Sequence, residues 1–187
     1  MLSLNNQFYS KAYKKHGINA EGVHWNSKET QFIRFEVITK YIENIENSSI
    51  IDIGCGFGDY LIFLKERNIK AKNYLGLDCE EFMINIASQK HQDNNFLVCN
   101  ILKDDIPKAD YLFCSGSLNL LTRKEFFLAI AKCFESSQKG FIFNFLTQES
   151  FQKISSKEVE TYCKTLTDKI FVKNNYLDND STVLLRK

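Results

Sequence analysis

The stretch Ser48-Ser49-Ile50-Ile51-Asp52-Ile53-Gly54-Cys55-Gly56-Phe57-Gly58-Asp59 constrains the fold more than any other part of this chain. Three β-branched residues, Ile50, Ile51 and Ile53, fit a short strand buried on both faces. Glycines at 54, 56 and 58 then permit a tight bend and a close approach of bare backbone to a ligand. A helix from about Asp59 to Arg67 follows, its N-terminus aimed at that ligand. The dinucleotide fingerprint G-x-G-x-x-G would need glycine at 59, where the chain carries Asp59, and an acid there repels a pyrophosphate. Asp52 adds a second carboxylate at the end of the strand. Acids in these places suit a ligand whose near end is cationic, such as an amino-acid ammonium beside a sulfonium.

Asp52-Ile53-Gly54-Cys55-Gly56-Phe57-Gly58 resembles the first motif of the class I S-adenosylmethionine-dependent methyltransferases, (D/E)-x-G-x-G-x-G. Tyr74-Leu75-Gly76-Leu77-Asp78 supports it as a second strand that ends in an acid. Such an acid accepts hydrogen bonds from both ribose hydroxyls. The resemblance implies S-adenosyl-L-methionine as cofactor, with Asp52, Gly54, Cys55, Gly56, Gly58, Asp78 and Cys79 among the residues that bind it. Two other readings stand beside it. One is a cofactor-binding module without turnover that acts through protein association, and the other is a nicotinamide enzyme.

At 187 residues the chain suits a single domain, read as an N-terminal lid and substrate-pocket segment over 1–28 and a core over 29–187. A hydrophobic content of 44% with a single proline, Pro107, argues against disorder. A net charge of +1, from 24 basic and 23 acidic residues, gives no general footprint for nucleic acid, although a local patch is compatible with it. Met1 to Ser10 lacks the basic flank and apolar block of a signal peptide, and no apolar run reaches the roughly 18 residues of a membrane span. The expected compartment is the cytoplasm. Six cysteines without a C-x-x-C pair then read as reduced thiols. Cys55, Cys79, Cys99 and Cys114 fall near strand ends and read as packing residues, not as a metal site.

Tyr13, His16, His24 and Trp25 lie in the polar, aromatic N-terminal segment and are lid and substrate-pocket candidates, with ordinary edge packing as the alternative. Apolar residues at 32, 35, 38, 42 and 45 mark a helix from about Lys28 to Glu46, from which Arg34 can reach the methionine carboxylate or pair within the fold. Glu80 to Lys90 reads as a second helix, with Asp78 and Glu81 at capping-box spacing and Met83 at the place the family sets against adenine. A third strand covers Asn95 to Ile101. Where the family often carries an acid for the adenine amino group, this chain has Asn100, whose amide oxygen also accepts; Ile101 flanks it.

A fourth strand, Ala109 to Cys114, leads into Ser115-Gly116-Ser117-Leu118-Asn119. The family's methyltransferases of amide or exocyclic base nitrogens often carry (D/N/S)-P-P-(Y/F/W) there, and its lack points away from those substrates. Ser115 counts with the cofactor site, and Ser117 and Asn119 are candidates to orient an acceptor or to satisfy a turn. Capping boxes Thr122/Glu125 and Ser155/Glu158 open two further helices around a fifth strand, Lys139 to Leu146. Two last strands, about 169–177 and 181–186, form a hairpin across Asp178-Asn179-Asp180.

The order implies an open α/β sheet with helices on both faces. The resemblance adds a Rossmann-like, twisted, mostly parallel sheet of seven strands with a C-terminal antiparallel hairpin. Methyl transfer by in-line displacement to an O, N or S acceptor follows, on a small molecule by expectation. Where the acceptor carries a proton, His24 and then His16 are the candidate bases, His91 falling at a helix end read as remote from the site.

Overall fold

The computed structural model of the chain describes Gly17, residues 27–147 and residues 154–187. Seven strands among them form one sheet: β1 (Ser49–Ile53), β2 (Asn73–Asp78), β3 (Asn95–Val98), β4 (Ala109–Ser115), β5 (Ser137–Leu146), β6 (Ile170–Asn174) and β7 (Asp180–Arg186). Their spatial order is β3-β2-β1-β4-β5-β7-β6, and β7 runs antiparallel to both of its neighbours. This is the expected class I methyltransferase architecture. β1 pairs in parallel with β2 and β4, so the strand order reverses beside it and a crevice opens at the carboxyl ends of β1 and β4.

Among the described residues, five helices cover the sheet: α1 (Lys28–Tyr41), α2 (Asp59–Glu66), α3 (Glu81–Lys90), α4 (Arg123–Ser136) and α5 (Ser156–Leu166). The period-2 geometry of β1 divides its isoleucines between two cores. Ile50 packs with Phe35 and Ile38 of α1 and with Tyr60, Phe63 and Leu64 of α2. Ile51 and Ile53 face the opposite layer, with Phe126, Ile130 and Cys133 of α4 and Val159 and Cys163 of α5. Each such buried aliphatic chain contributes about 1.5–3 kcal/mol, so β1 is held from both sides and the loop after it has a fixed root.

Both expected capping boxes form. Thr122 and Glu125 satisfy each other's backbone amides at the start of α4, and Ser155 and Glu158 do so at α5. Several details differ from expectation, among them a fifth strand that begins at Ser137 and a sixth confined to Ile170–Asn174. The first helix ends at Tyr41, because the chain turns through Asn44 in the left-handed region, at φ 49°, into a short 3₁₀ helix over Ile45–Asn47. The third strand stops at Val98, where its partner β2 also ends, at Asp78. The Asp78/Glu81 capping box does not form: the N-cap of α3 is Glu80, without a side-chain cap bond, and the Asp78 carboxylate accepts from the backbone amides of Gly56 and Glu80 instead. No helix among the described residues is long and apolar enough to cross a membrane.

Candidate functional site

The loop from Gly54 to Gly58 turns β1 into α2 through glycines with φ of 71°, 53° and 77°, a left-handed conformation that side-chain-bearing residues avoid. Space excludes side chains as well. A Cβ on Gly54 would stand 2.3 Å from Ser117, and one on Gly58 2.7 Å from the His91 ring. The loop is stitched to β2: the Gly54 and Cys55 amides both donate to Leu77 O, at 2.7 and 3.0 Å, and Gly56 N donates to Asp78 Oδ2 at 3.0 Å. Asp78 Oδ1 accepts from Glu80 N at 3.0 Å. Asp78 is half-buried, and desolvation, with the Glu80 charge behind it, outweighs the backbone amides of Glu80, Gly56 and Cys79, so its carboxyl is pushed up to about 6.

On the other side of the loop, a crevice is lined by Gln31 and Phe35 of α1, Asp52, the backbone of 54–57, Asp59 and Ser115. Asp52 is 3% exposed and its Oδ2 accepts from Tyr74 Oη at 2.9 Å. Burial, aggravated by the charges of Asp78 and Asp59 and only partly offset by the Tyr74 hydrogen bond, raises its carboxyl to about 7. Asp59, at the first turn of α2, accepts from Gln31 Nε2 at 3.3 Å and from Lys90 Nζ at 3.1 Å. The side chains opening on this crevice are thus rich in acceptors and negative charge, which fits a ligand with a cationic end and opposes a phosphate.

Ser115 stands at the end of β4, its Oγ buried and without a hydrogen-bond partner among the described residues, on the crevice wall. The other two polar residues of that segment are committed to the fold. Ser117 Oγ donates to Ile53 O at 3.1 Å, and Asn119 Oδ1 accepts from Leu146 N at 3.1 Å. Asn100 forms a local turn, its Oδ1 accepting from Leu102 N at 3.1 Å while its own amide donates to Asp104 Oδ2 at 2.8 Å. Ile101 packs against the larger core, Met83 is buried, and Cys79 is exposed beside Asp78. The site therefore gathers Asp52, Gly54, Cys55, Gly56, Gly58, Asp78 and Ser115, with Cys79, Met83, Asn100 and Ile101 on the β2 and β3 side of the loop. Tyr13, His16, His24 and Trp25 lie outside the described residues.

Arg34 is engaged elsewhere. Its Nε donates to Asp180 Oδ1 at 2.9 Å and its Nη2 to Oδ2, inside the protein. Asp180 Oδ1 also accepts from Asn144 Nδ2 at 2.9 Å, and Asn144 Oδ1 accepts from Gly116 N at 2.6 Å. This chain of bonds runs from α1 through β7 and β5 to the loop that carries Ser115. His91 corrects the expectation of a remote residue: its imidazole packs on Gly58 and beside Phe96, at the outer side of the glycine loop. Sequence reasoning missed Gln31 as a crevice residue. The signal was its place on the stripe 31, 35 and 38 of α1, a polar side chain at apolar spacing.

A family model described as a methyltransferase domain matches residues 44–180. Among curated proteins, a type II methyltransferase, M.VspI from Vibrio sp. (strain 343), is 28% identical over 106 residues, which are 57% of this chain and 23% of that protein. The chain thus spans less than a quarter of the length of that relative. Among solved structures, magnesium protoporphyrin IX methyltransferase from Synechocystis PCC 6803 with bound S-adenosylmethionine superposes with a TM-score of 0.70 at 16% identity, over 99% of this chain and 92% of that one. An S-adenosylmethionine-dependent methyltransferase from Clostridium acetobutylicum ATCC 824 gives 0.69 at 15% identity, over 98% and 99%.

Proposed function

The chain belongs to the methyltransferase-domain family, and on that premise we propose that it moves a methyl group from S-adenosylmethionine to an oxygen, nitrogen or sulfur atom of a small molecule. The observation that carries this reading is the hydrogen bond from Gly56 N to Asp78 Oδ2, which joins the glycine loop and the acid after β2 into one binding surface. The residues fit the cofactor. The Asp78 carboxylate accepts from the backbone amides of Gly56, Glu80 and Cys79, and its two oxygens have lone pairs left for the ribose hydroxyls. Asp52, Asp59 and Ser115 offer acceptors to the amino-acid end, and the bare backbone of 54–56 permits close approach. Asn100 and Ile101 stand for the adenine, with Met83 behind them.

When bound, S-adenosylmethionine supplies a methyl group already activated by its sulfonium. The work left to the protein is alignment, holding an acceptor atom in line and keeping water away. The Arg34–Asp180–Asn144 chain fixes the backbone at Gly116, and so the Ser115 side of the crevice, while Arg34 holds α1 in place without itself reaching the cofactor. His24, with His16 second, is the general base where the acceptor carries a proton, and Tyr13 and Trp25 are the residues assigned to acceptor recognition. Two observations support a small acceptor. Ser115-Gly116-Ser117-Leu118 stands where methyltransferases of amide or base nitrogens often carry their tetrapeptide, and one structural neighbour is named for a porphyrin.

The test is transfer of labelled methyl from S-adenosylmethionine into separate pools of small molecules, protein and nucleic acid, by wild type and by Asp52→Ala. Label entering the small-molecule pool with wild type alone supports the proposal. Label entering only nucleic acid overturns the acceptor class. Cofactor binding with no product from any pool identifies a binding module.

A further inference from the structure

We propose that Gln31, on α1, recognises the α-ammonium of the cofactor through its amide oxygen, so that the first helix selects ligands carrying a free amino group. The proposal rests on the reading that this crevice takes S-adenosylmethionine. Gln31 is 4% exposed, on the buried helix face it shares with Arg34, Phe35 and Ile38. The residue is nearly buried, yet its amide oxygen is not among the sealed polar atoms, so each end of the amide is free to meet the fold, water or a ligand. One end is satisfied, since Nε2 donates to Asp59 Oδ2 at 3.3 Å. The other end, Oε1, accepts no hydrogen bond among the described residues, and the side chain lines the crevice.

The company Gln31 keeps defines the missing partner. Asp52 and Asp59 are acceptors when ionised, Ser115 has a buried hydroxyl with no partner among the described residues, and Gln31 adds a neutral carbonyl oxygen. An alkylammonium brings three N–H donors and one positive charge, which matches several convergent acceptors of which some are charged. A carboxylate or phosphate finds only the Ser115 hydroxyl as a donor among these groups and is repelled by the ionised aspartates. The bond to Asp59 fixes the amide plane, and Lys90 fixes Asp59 from its far side at 3.1 Å, so the oxygen is presented rather than left to rotate.

The experiment is calorimetric titration of the full chain with S-adenosylhomocysteine and with its deaminated analogue, in which hydrogen replaces the ammonium. Wild type, Gln31→Leu and Gln31→Glu are compared. Loss of a hydrogen bond to a charged group predicts that Gln31→Leu binds S-adenosylhomocysteine about tenfold or more weakly, yet binds the analogue within about twofold of wild type. Gln31→Glu keeps an acceptor at the position but replaces the donor to Asp59 with a second acid, a pair that an ammonium relieves and the analogue does not, so its preference for S-adenosylhomocysteine over the analogue is wider than that of wild type. It decides the matter should Gln31→Leu fail to fold. Equal losses for both ligands in Gln31→Leu, or an unwidened preference in Gln31→Glu, overturn the proposal and leave Gln31 as a tie between α1 and the loop. Wild type that binds both ligands equally overturns it too, with the cofactor reading intact. Wild type that binds neither removes the cofactor reading and this proposal with it.

Discussion

Replacing Asp52 by asparagine trades binding for stability, and the amount depends on pH in a calculable way. Asp52 is 3% exposed, and its carboxyl titrates near 7 in the folded chain instead of the ordinary 3.8. A carboxyl raised on folding favours the folded state while it is protonated, and that contribution is lost as pH rises through the window from 3.8 to about 7. At about pH 8 the buried charge costs about 4 kcal/mol, and at about pH 5 only about 2 kcal/mol, because the folded form is then protonated. The Asp52→Asn variant has no charge to bury at this position, and its amide oxygen still accepts from Tyr74 Oη, which donates at 2.9 Å in wild type. Urea denaturation of ligand-free Asp52→Asn and wild type, at these two pH values, is the assay. The variant is expected to be the more stable at pH 8, by an advantage about 2 kcal/mol larger than at pH 5. The same variant loses most of its affinity for S-adenosylhomocysteine, because an amide cannot balance an ammonium. An advantage that stays constant between the two pH values, or a variant less stable than wild type at pH 8, would refute the assignment of Asp52 as a buried acid kept for a cationic ligand.

Removing Arg34 leaves Asp180 buried with only Asn144 as partner among the described residues, so Arg34→Met is expected to lose about 3–5 kcal/mol in denaturant unfolding, much of it regained in Arg34→Met/Asp180→Leu; a loss under about 1 kcal/mol contradicts the pairing. Gly54→Ala forces an L-residue to φ 71° with its Cβ 2.3 Å from Ser117, predicting a thermal-unfolding deficit above about 2 kcal/mol and weak cofactor binding; near-wild-type stability contradicts that packing. Burial, with Lys90 second, holds the His91 imidazole below its ordinary range. The folded chain then loses stability as pH falls through about 6.5, where the unfolded chain takes up a proton that the folded one refuses. His91→Phe is expected to flatten this acid limb in pH-dependent melts, and an unchanged slope contradicts it.

What was legible in the sequence was whatever local chemistry decides. The two capping boxes are read within four residues, and Ile50, Ile51 and Ile53 announce a strand buried on both faces whatever lies around it. The glycine loop carries its tight turn in spacing alone. Pairings between distant elements were hidden. Arg34 meets Asp180 across 146 residues, and nothing near either residue predicts it. Asp78 was ambiguous because capping-box spacing and a binding acid look alike in sequence; the backbone decided by starting α3 after Glu80, which turned the carboxylate toward Gly56. Ser117 and Asn119 were equally open, and the short 3₁₀ helix Ser117–Leu120 commits Ser117 to Ile53 and Asn119 to Leu146. His91 ends its helix yet reaches Gly58, because the side chain and not the helix axis fixes its neighbour.

The most direct test of the central claim, that the glycine loop and Asp78 together bind the cofactor, is calorimetric titration of the folded chain with S-adenosylhomocysteine, beside nicotinamide dinucleotide and beside Asp78→Ala. Saturable binding of S-adenosylhomocysteine alone is predicted, weakened at least about tenfold by Asp78→Ala, since a charged acceptor of two hydroxyls is removed. Preference for the nicotinamide dinucleotide, or a folded protein that binds neither ligand, would contradict the account.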